Sequence, residues 1–479
     1  MITLSKTQSI CPVCHKPVEA EYVLEAGKVL IRKKCPEHGE VSALVARNPQ
    51  DYIRWTKHPV VNIPPKVNIT KGAEGECPLH CGTCENHLQT ACCVLIDVTD
   101  RCNQHCHYCF AKAEDAGNDM PLSEIERKYD LLLELGEERE FNIQLSGGEP
   151  TVRDDLPEII RMGRDKGFEY IQINTNGRRM AEEKGYAKKL KDAGVSVIYL
   201  QFDGTTDEIY MQMRNEPLLH TKLSAIENCR RAGLPVTLVP TVVKNINLDN
   251  IGEMMRFLIA NRDVVKGIHF QPVSFFGRVP DKDYENRVTM FDCMRAIEEQ
   301  TDGLFKTGDL CPITTGHTMC CFYGTYLREK DGSIRSLITE QTRKTGVSCC
   351  DSHDPLEIIR KDRDFVLNKW DLPEYEETDE DCCSCGEAEE ESSCCCGEAP
   401  AEESCCCCAD EPVDLDEFIT YYKSNMFTVS GMAFMDLSNL DAERLKRCRV
   451  VQLTDDDRLI PFCAYNSIYR KHIYIRKQY

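Results

Sequence analysis

The chain has 479 residues, 42% hydrophobic and 29% charged, enough for one large domain with smaller additions. Its 79 acidic residues outnumber 58 basic ones, and the net charge of −21 argues against general binding to nucleic acid or to anionic membranes. Thirty cysteines, a start (Met1-Ile2-Thr3-Leu4-Ser5-Lys6) without an apolar h-region, and no apolar run long enough to span a bilayer exclude a secreted disulfide scaffold. They predict a cytoplasmic metal or iron–sulfur protein, of a kind suited to an anaerobic host.

Residues 1–60 open with Cys11-x2-Cys14 and, further on, Cys35-x2-His38. Two short loops separated by a hairpin converge on one tetrahedral ion, so a Cys3His site for zinc, or for a mononuclear iron, is expected here. The alternation of Tyr22, Leu24, Val29 and Ile31 places that hairpin at residues 20–32. Pro59, Pro64 and Pro65 mark an extended connector. Residues 70–93 then carry Cys77-x3-Cys81-x2-Cys84, read as an auxiliary iron–sulfur site in preference to zinc, with Cys92, Cys93 or a distant cysteine as its fourth ligand.

From 94 to 280 short apolar runs at 94–98, 141–145, 169–173, 196–202, 236–243 and 267–273 alternate with helical patterns at 122–136, 154–166, 181–193, 220–232 and 248–261. Gly136, Gly194 and Gly233 stand where those helices end. Strands separated by helices predict an α/β fold with a parallel sheet and right-handed crossovers, and six such units predict an open (β/α)6 partial TIM barrel.

The loop after the first barrel strand reads Thr99-Asp100-Arg101-Cys102-Asn103-Gln104-His105-Cys106-His107-Tyr108-Cys109. A [4Fe–4S] cluster takes four thiolates, and Cys102, Cys106 and Cys109 supply three, leaving one iron open to a chelating cofactor. Gly147-Gly148-Glu149-Pro150 ends the next strand. Together these resemble the radical S-adenosylmethionine (SAM) superfamily. The resemblance implies that the open iron binds SAM and that reductive cleavage yields a 5′-deoxyadenosyl radical for C–H activation, with ferredoxin or flavodoxin as reductant. It also implies that Gly147, Gly148, Glu149 and Pro150 meet the methionyl ammonium and that the backbone of Tyr108 meets the adenine. The strand tips Asn174, Asn176, Gln201 and Asp203 either contact the ribose and carboxylate or are turn residues.

Residues 281–373 and 412–479 form a C-terminal extension in which Cys311, Cys320 or Cys321, Cys448 and Cys463 are candidates for a third cluster. Cys448 and Cys463 bracket a hairpin around Asp455-Asp456-Asp457. Cys229 and Cys293 read as core, as do Phe270, Val273, Phe275 and Phe276 in preference to a lipid channel. Residues 374–416, acidic and rich in cysteine runs, read as a disordered insertion. The N-terminal Cys pattern, the Cys-Pro-x2-His-Cys-Gly-x-Cys segment, the barrel motif and the closing Ile460-Pro461-Phe462-Cys463-Ala464-Tyr465-Asn466 resemble one group. It contains the archaeal tetraether lipid synthases, also described as pterin methyltransferase-like proteins, and the bacterial radical SAM (seleno)protein TrsS. That resemblance implies C–C bond formation or methylation of a lipid-like or small-molecule substrate. A peptide-modifying oxidase and a non-catalytic electron carrier are the alternatives.

Overall fold

The computed structural model describes residues 1–65, 67, 77–82, 84–136, 141–280, 282–284, 286–338 and 415–470. At the N-terminus β1 (Ile2–Ile10), β2 (Pro17–Glu25), β3 (Lys28–Cys35) and β4 (Gly39–Ala46) form an antiparallel meander in sequence order. The expected hairpin is β2–β3, with Tyr22 opposite Ile31 and Leu24 opposite Val29. Its two-residue turn, Ala26-Gly27, has φ of 47° and 74°, the pair of positive values that matches the twist of a tight hairpin. α1 (Pro49–Thr56) follows, N-capped by Asn48 and burying Tyr52 and Trp55.

The barrel strands are β5 (Cys93–Thr99), β6 (Asn142–Gly147), β7 (Ile171–Thr175), β8 (Val197–Gln201) and β9 (Val236–Val239). After the two-residue β10 (Thr241–Val242) comes β11 (Val265–Pro272), and each neighbouring pair from β5 to β9 and on to β11 is parallel. Val94, Ile96 and Val98 on β5, Ile143 and Leu145 on β6, and Ile171 and Ile173 on β7 lie in the main core. Against this face pack α2 (Leu122–Leu135), α3 (Leu156–Asp165), α4 (Arg178–Glu182), α5 (Tyr186–Ala193), α7 (Leu219–Arg231) and α8 (Ile251–Ala260). The pattern expected as one helix at 181–193 is broken between α4 and α5, where Gly185 has φ of 80°. α6 (Asp207–Arg214) has no counterpart in the sequence reading.

The C-terminal residues extend both edges of this sheet. α9 (Met290–Gln300) leads to β12 (Cys321–Arg328) and β13 (Ile334–Ser336). α10 (Leu415–Asn425) then leads into β14 (Met426–Met432), which lies parallel to β11 and antiparallel to β12. At the opposite edge, beyond α11 (Ala442–Lys446), β15 (Val450–Leu453) lies parallel to β5 and turns back as β16 (Leu459–Pro461). The path runs β13-β12-β14-β11-β9-β8-β7-β6-β5-β15-β16, so β13 and β16 are two separate edges and the barrel is partial. The stretch expected to be disordered, 374–416, lies outside the described residues up to 414, and α10 begins at Leu415.

The meander docks on the C-terminal segment through polar side chains. Thr7 and Tyr22 each donate to the Asp441 carboxylate at 2.6 Å, and buried Lys33 donates to the Leu437 carbonyl at 2.7 Å. Among the described residues, no helix is long and apolar enough to cross a membrane.

Candidate functional site

Cys102, Cys106 and Cys109 all lie on the loop that leaves the C-terminal end of β5, and all three line one cavity of about 190 Å³. The loop has little regular structure of its own, so partners from elsewhere hold it. Within it, Cys102 N donates to the Glu114 carbonyl at 2.9 Å, and Arg101 pairs with Asp119. From beyond β11, Arg278 exchanges backbone hydrogen bonds with Cys109, donates Nη1 to the Cys106 carbonyl at 2.8 Å, and forms an ion pair with Glu114.

Gly147 and Gly148, which line this cavity, also bring two strands together. A Cβ on Gly147 would overlap the Thr99 carbonyl, and one on Gly148 the Arg101 carbonyl, so the glycines let β6 close directly onto the cysteine loop. The N–H groups of Gly148 and Glu149 donate to those same two carbonyls at 2.9 and 2.8 Å. Glu149 is buried, and its carboxylate accepts from Thr151 N, Thr151 Oγ1, Thr175 Oγ1 and Asn176 N. It therefore ties the end of β6 to the end of β7. Asn176 carries the tie onward, donating Nδ2 to Asn103 Oδ1 at 2.8 Å within the cysteine loop.

Two of the expected cofactor contacts do not line the cavity. Pro150 instead starts the 3-10 turn Pro150–Val152. Asp203 is fully buried and grips Arg214 with both carboxylate oxygens at 2.7 Å. Arg214, at the end of α6, is the residue that reaches the site. Its Nη1 donates to the Tyr108 carbonyl at 2.5 Å, and its guanidinium hydrogen-bonds the Cys106 thiol. Burial pushes the Cys106 thiol up, and the Arg214 charge acts in the opposite direction. Behind it Lys222, also fully buried, donates to the Asn176 carbonyl at 2.5 Å and to Gln201 Oε1 at 3.2 Å, and burial lowers its pKa to about 8. Sequence reasoning missed Arg214 and Arg278. An Arg at the end of a short amphipathic helix and an Arg after a Gly carry no local sign of where they point.

The remaining expected residues face the cavity: Tyr108, Gly147, Gly148, Glu149, Asn174, Asn176 and Gln201. Two buried amide atoms on its wall, Gln104 Nε2 and Asn174 Oδ1, have no hydrogen-bond partner among the described residues. Such atoms are costly unless a ligand meets them. Three thiols and an unpaired buried donor, Gln104 Nε2, around one cavity at the C-terminal end of the strands fit a site-differentiated cluster with SAM.

A second chamber of about 280 Å³ continues inward and shares Phe110, Asn174, Tyr199, Gln271 and Phe276 with the first. It follows from strand alternation. Where Ile143, Leu145, Ile171 and Ile173 point to the helices, Asn142, Gln144, Gln172 and Asn174 point inward. Tyr170, Tyr199, His269 and Gln271 join them, and Phe276, Phe434 and Phe462 add an aromatic wall. Phe276, expected as core, is thus a wall residue, whereas Phe270 is fully buried core as expected. The signal was present in Asn142-Ile143-Gln144-Leu145-Ser146 and Tyr170-Ile171-Gln172-Ile173-Asn174, whose polar residues recur every second position on strands with both faces covered.

At the N-terminus, the ligand atoms of Cys11, Cys14, Cys35 and His38 all lie within 4.8 Å of one another. His38 Nδ1 stands 3.8 Å from Cys11 Sγ and 3.5 Å from Cys35 Sγ, and Cys14 Sγ is 3.9 Å from Cys35 Sγ. A tetrahedron with Zn–S bonds of about 2.3 Å has S···S edges of about 3.8 Å, so the four fit zinc. The hydrogen bond from His38 leads the effects that lower the Cys35 thiol.

Cys77, Cys81 and Cys84 are mutual electrostatic neighbours. Cys81 N donates to Tyr469 Oη at 2.6 Å, which fixes the segment to the C-terminal helical turn. Cys93, one of the residues considered as a fourth ligand there, lines the inner chamber instead. At the third group, Cys320 rather than Cys321 neighbours Cys448 and Cys463, and Arg444 donates to its Sγ at 3.6 Å. Cys321 begins β12, so successive side chains there point to opposite faces. Cys311 pairs its backbone with Tyr323, two residues along the same strand.

A partial barrel with this cavity above its strands defines a radical SAM enzyme, and comparison with known proteins agrees. The profile of the radical SAM superfamily matches residues 96–258, and that of the HMPTM N-terminal zinc ribbon domain matches residues 3–47. The chain is 35% identical to 7,8-dihydro-6-hydroxymethylpterin dimethyltransferase of Methanocaldococcus jannaschii, over 98% of this chain and 94% of that protein. It is 30% identical to a probable GTP 3′,8-cyclase of Sulfolobus acidocaldarius, over 41% of this chain and 63% of that protein. Among solved structures, Streptococcus suis SuiB bound to precursor peptide SuiA overlaps 45% of this chain and 47% of its own, with 17% identity and a TM-score of 0.37. The chain belongs to the radical SAM superfamily, in its pterin methyltransferase-like family, and its cofactors are a [4Fe–4S] cluster and SAM.

Proposed function

We propose that this radical SAM enzyme methylates a pterin-like nitrogen heterocycle. One observation carries the reading: besides Cys93, Leu95, Met432 and Val450, the chamber joined to the cysteine cavity is lined by carboxamides, tyrosines, phenylalanines and His269, and among the described residues by no Asp, Glu, Lys or Arg. Such a lining suits a neutral planar ring with donors and acceptors on its edge. A lipid chain suits it poorly, because Asn174 Oδ1, a buried acceptor without a partner among the described residues, would face methylene groups. The dimethyltransferase, related over nearly its whole length, points to the same class of substrate.

In this reading Cys102, Cys106 and Cys109 hold the cluster, which when bound supplies the electron that opens the S–C5′ bond of SAM. Gln201, at the tip of β8, and Gln104, on the cysteine loop, orient SAM. Arg214 and Arg278 fix the cysteine loop, and the aromatic wall excludes water from the inner chamber. Cys77, Cys81 and Cys84, and separately Cys320, Cys448 and Cys463, are auxiliary iron–sulfur sites, and a ferredoxin or flavodoxin delivers the electron.

The test is anaerobic turnover of the iron-loaded protein with SAM, dithionite and 6-hydroxymethyl-7,8-dihydropterin. The expected result is 5′-deoxyadenosine from one SAM, S-adenosylhomocysteine from a second SAM that supplies the methyl group, and a pterin heavier by one or two methyl groups, with dithionite as the electron source. Release of 5′-deoxyadenosine that ignores the pterin, with no mass gain, would count against this substrate class. No release at all from a reducible cluster would favour an electron carrier.

A further inference from the structure

We propose that Gln144 is the residue that reads the edge of the heterocycle, and that Tyr170 and Gln172 hold it in one orientation. The assignment rests on the substrate class proposed above. Tyr170 Oη donates to Gln172 Oε1 at 2.9 Å, and Gln172 Nε2 donates to Gln144 Oε1. Tyr170 has one hydroxyl proton, which Gln172 takes, and the Tyr199 hydroxyl stands beside it. Cys93 Sγ, 3.7 Å away, is a second donor to Gln144 Oε1. The hydrogen bonds therefore run in one direction from Tyr170 through Gln172 on β7 to Gln144 on β6, and end on a carboxamide whose oxygen is occupied twice.

The consequence is a fixed polarity. Gln144 cannot flip without losing both bonds to its oxygen, so its Nε2 is held as a donor, without a partner among the described residues, on the chamber wall. Asn174 Oδ1, on the neighbouring strand, is a buried acceptor without a partner. A donor on β6 beside an acceptor on β7 complements a ring edge that carries a carbonyl or ring nitrogen next to an N–H, as the amide and amidine edges of pterins do. Phe276 and Phe434 flank Phe462 with ring centroids 6.2 and 4.7 Å away, giving the aromatic surface on which such a ring stacks. Gln144 would touch the substrate, whereas Gln172 acts through Gln144 and is a positioning residue.

The experiment measures the dissociation constants of 6-hydroxymethyl-7,8-dihydropterin and of SAM on the anaerobic, iron-loaded full chain. Gln144→Met keeps the length of the side chain and removes the donor. It should weaken pterin binding about tenfold, with SAM affinity and iron content unchanged. Gln172→Met should weaken it severalfold, because the Gln144 amide is then free to rotate. Gln144→Glu, which keeps size and polarity but offers only acceptors, should repeat the loss and covers the case in which the Met variant does not load iron. Wild-type pterin affinity in the Gln144 variants would overturn the assignment and leave the proposed function standing. An equal loss of SAM affinity would overturn it by moving Gln144 to the SAM site. A wild-type protein that binds SAM but no pterin would overturn the proposed function and this assignment together.

Discussion

The two cysteine sites, one in the N-terminal meander and one on the loop after β5, are built in opposite ways. Cys11, Cys14, Cys35 and His38 meet through a hairpin whose register is set by its own turn, and their ligand atoms already stand at tetrahedral spacing. Cys102, Cys106 and Cys109 sit on an irregular loop whose position depends on Glu149, Arg214 and Arg278, brought in by three other parts of the barrel. The first site is local, and its chemistry is legible from spacing. The second has legible ligands, but its rigidity comes from residues distant in sequence.

The largest effects should separate the two sites cleanly. Cys106→Ala should abolish 5′-deoxyadenosine release and remove about four irons per chain, while zinc content stays unchanged. Cys35→Ser should do the reverse, with zinc lost and the iron content of the catalytic loop retained. Metal analysis of both variants checks the pair, and loss of both metals in either one would break the comparison.

Next in size is Arg214→Met. It leaves the buried Asp203 carboxylate without its partner, and breaking such a pair costs about 3–5 kcal/mol. A lower unfolding midpoint should follow, partly relieved in the Arg214→Met, Asp203→Leu double variant. Additive losses in the double variant would show that the two residues do not act as a unit. Glu149→Gln should cost less, about 1.5–3 kcal/mol, because one charged acceptor oxygen is replaced by a donor facing other donors. Denaturant unfolding checks it, and the cluster should also become easier to strip with chelator.

The smallest effect sharpens the third cysteine group. Cys320→Ser should lower the iron content, whereas Cys321→Ser should leave it unchanged. Equal iron loss in both would restore Cys321 as a ligand.

How much of this was open to reading depends on range. The spacing of Cys102, Cys106 and Cys109 and the Gly-Gly-Glu-Pro segment point to the cofactors, whereas Asp203, which the sequence offers as a cofactor contact or a turn residue, holds Arg214. The hairpin around Asp455 to Asp457 was foreseen, yet nothing local told that β15 would pair with β5 while β14 pairs with β11. Strand pairing across hundreds of residues is decided by which edges remain open once the barrel has formed. The inner chamber was written in alternate polar residues of the strands, and was passed over because each is unremarkable alone.

By itself, then, the amino-acid sequence determined the strand–helix alternation, the hairpin register and the metal-binding spacings, all of which follow from interactions between residues near in the chain. Only the tertiary structure decided which of Cys320 and Cys321 faces Cys448, which arginines grip the catalytic loop, and that the interior amides form one directional chain. Those outcomes depend on where side chains from separate strands converge, and burial makes each unpaired polar group there costly enough to fix its partner.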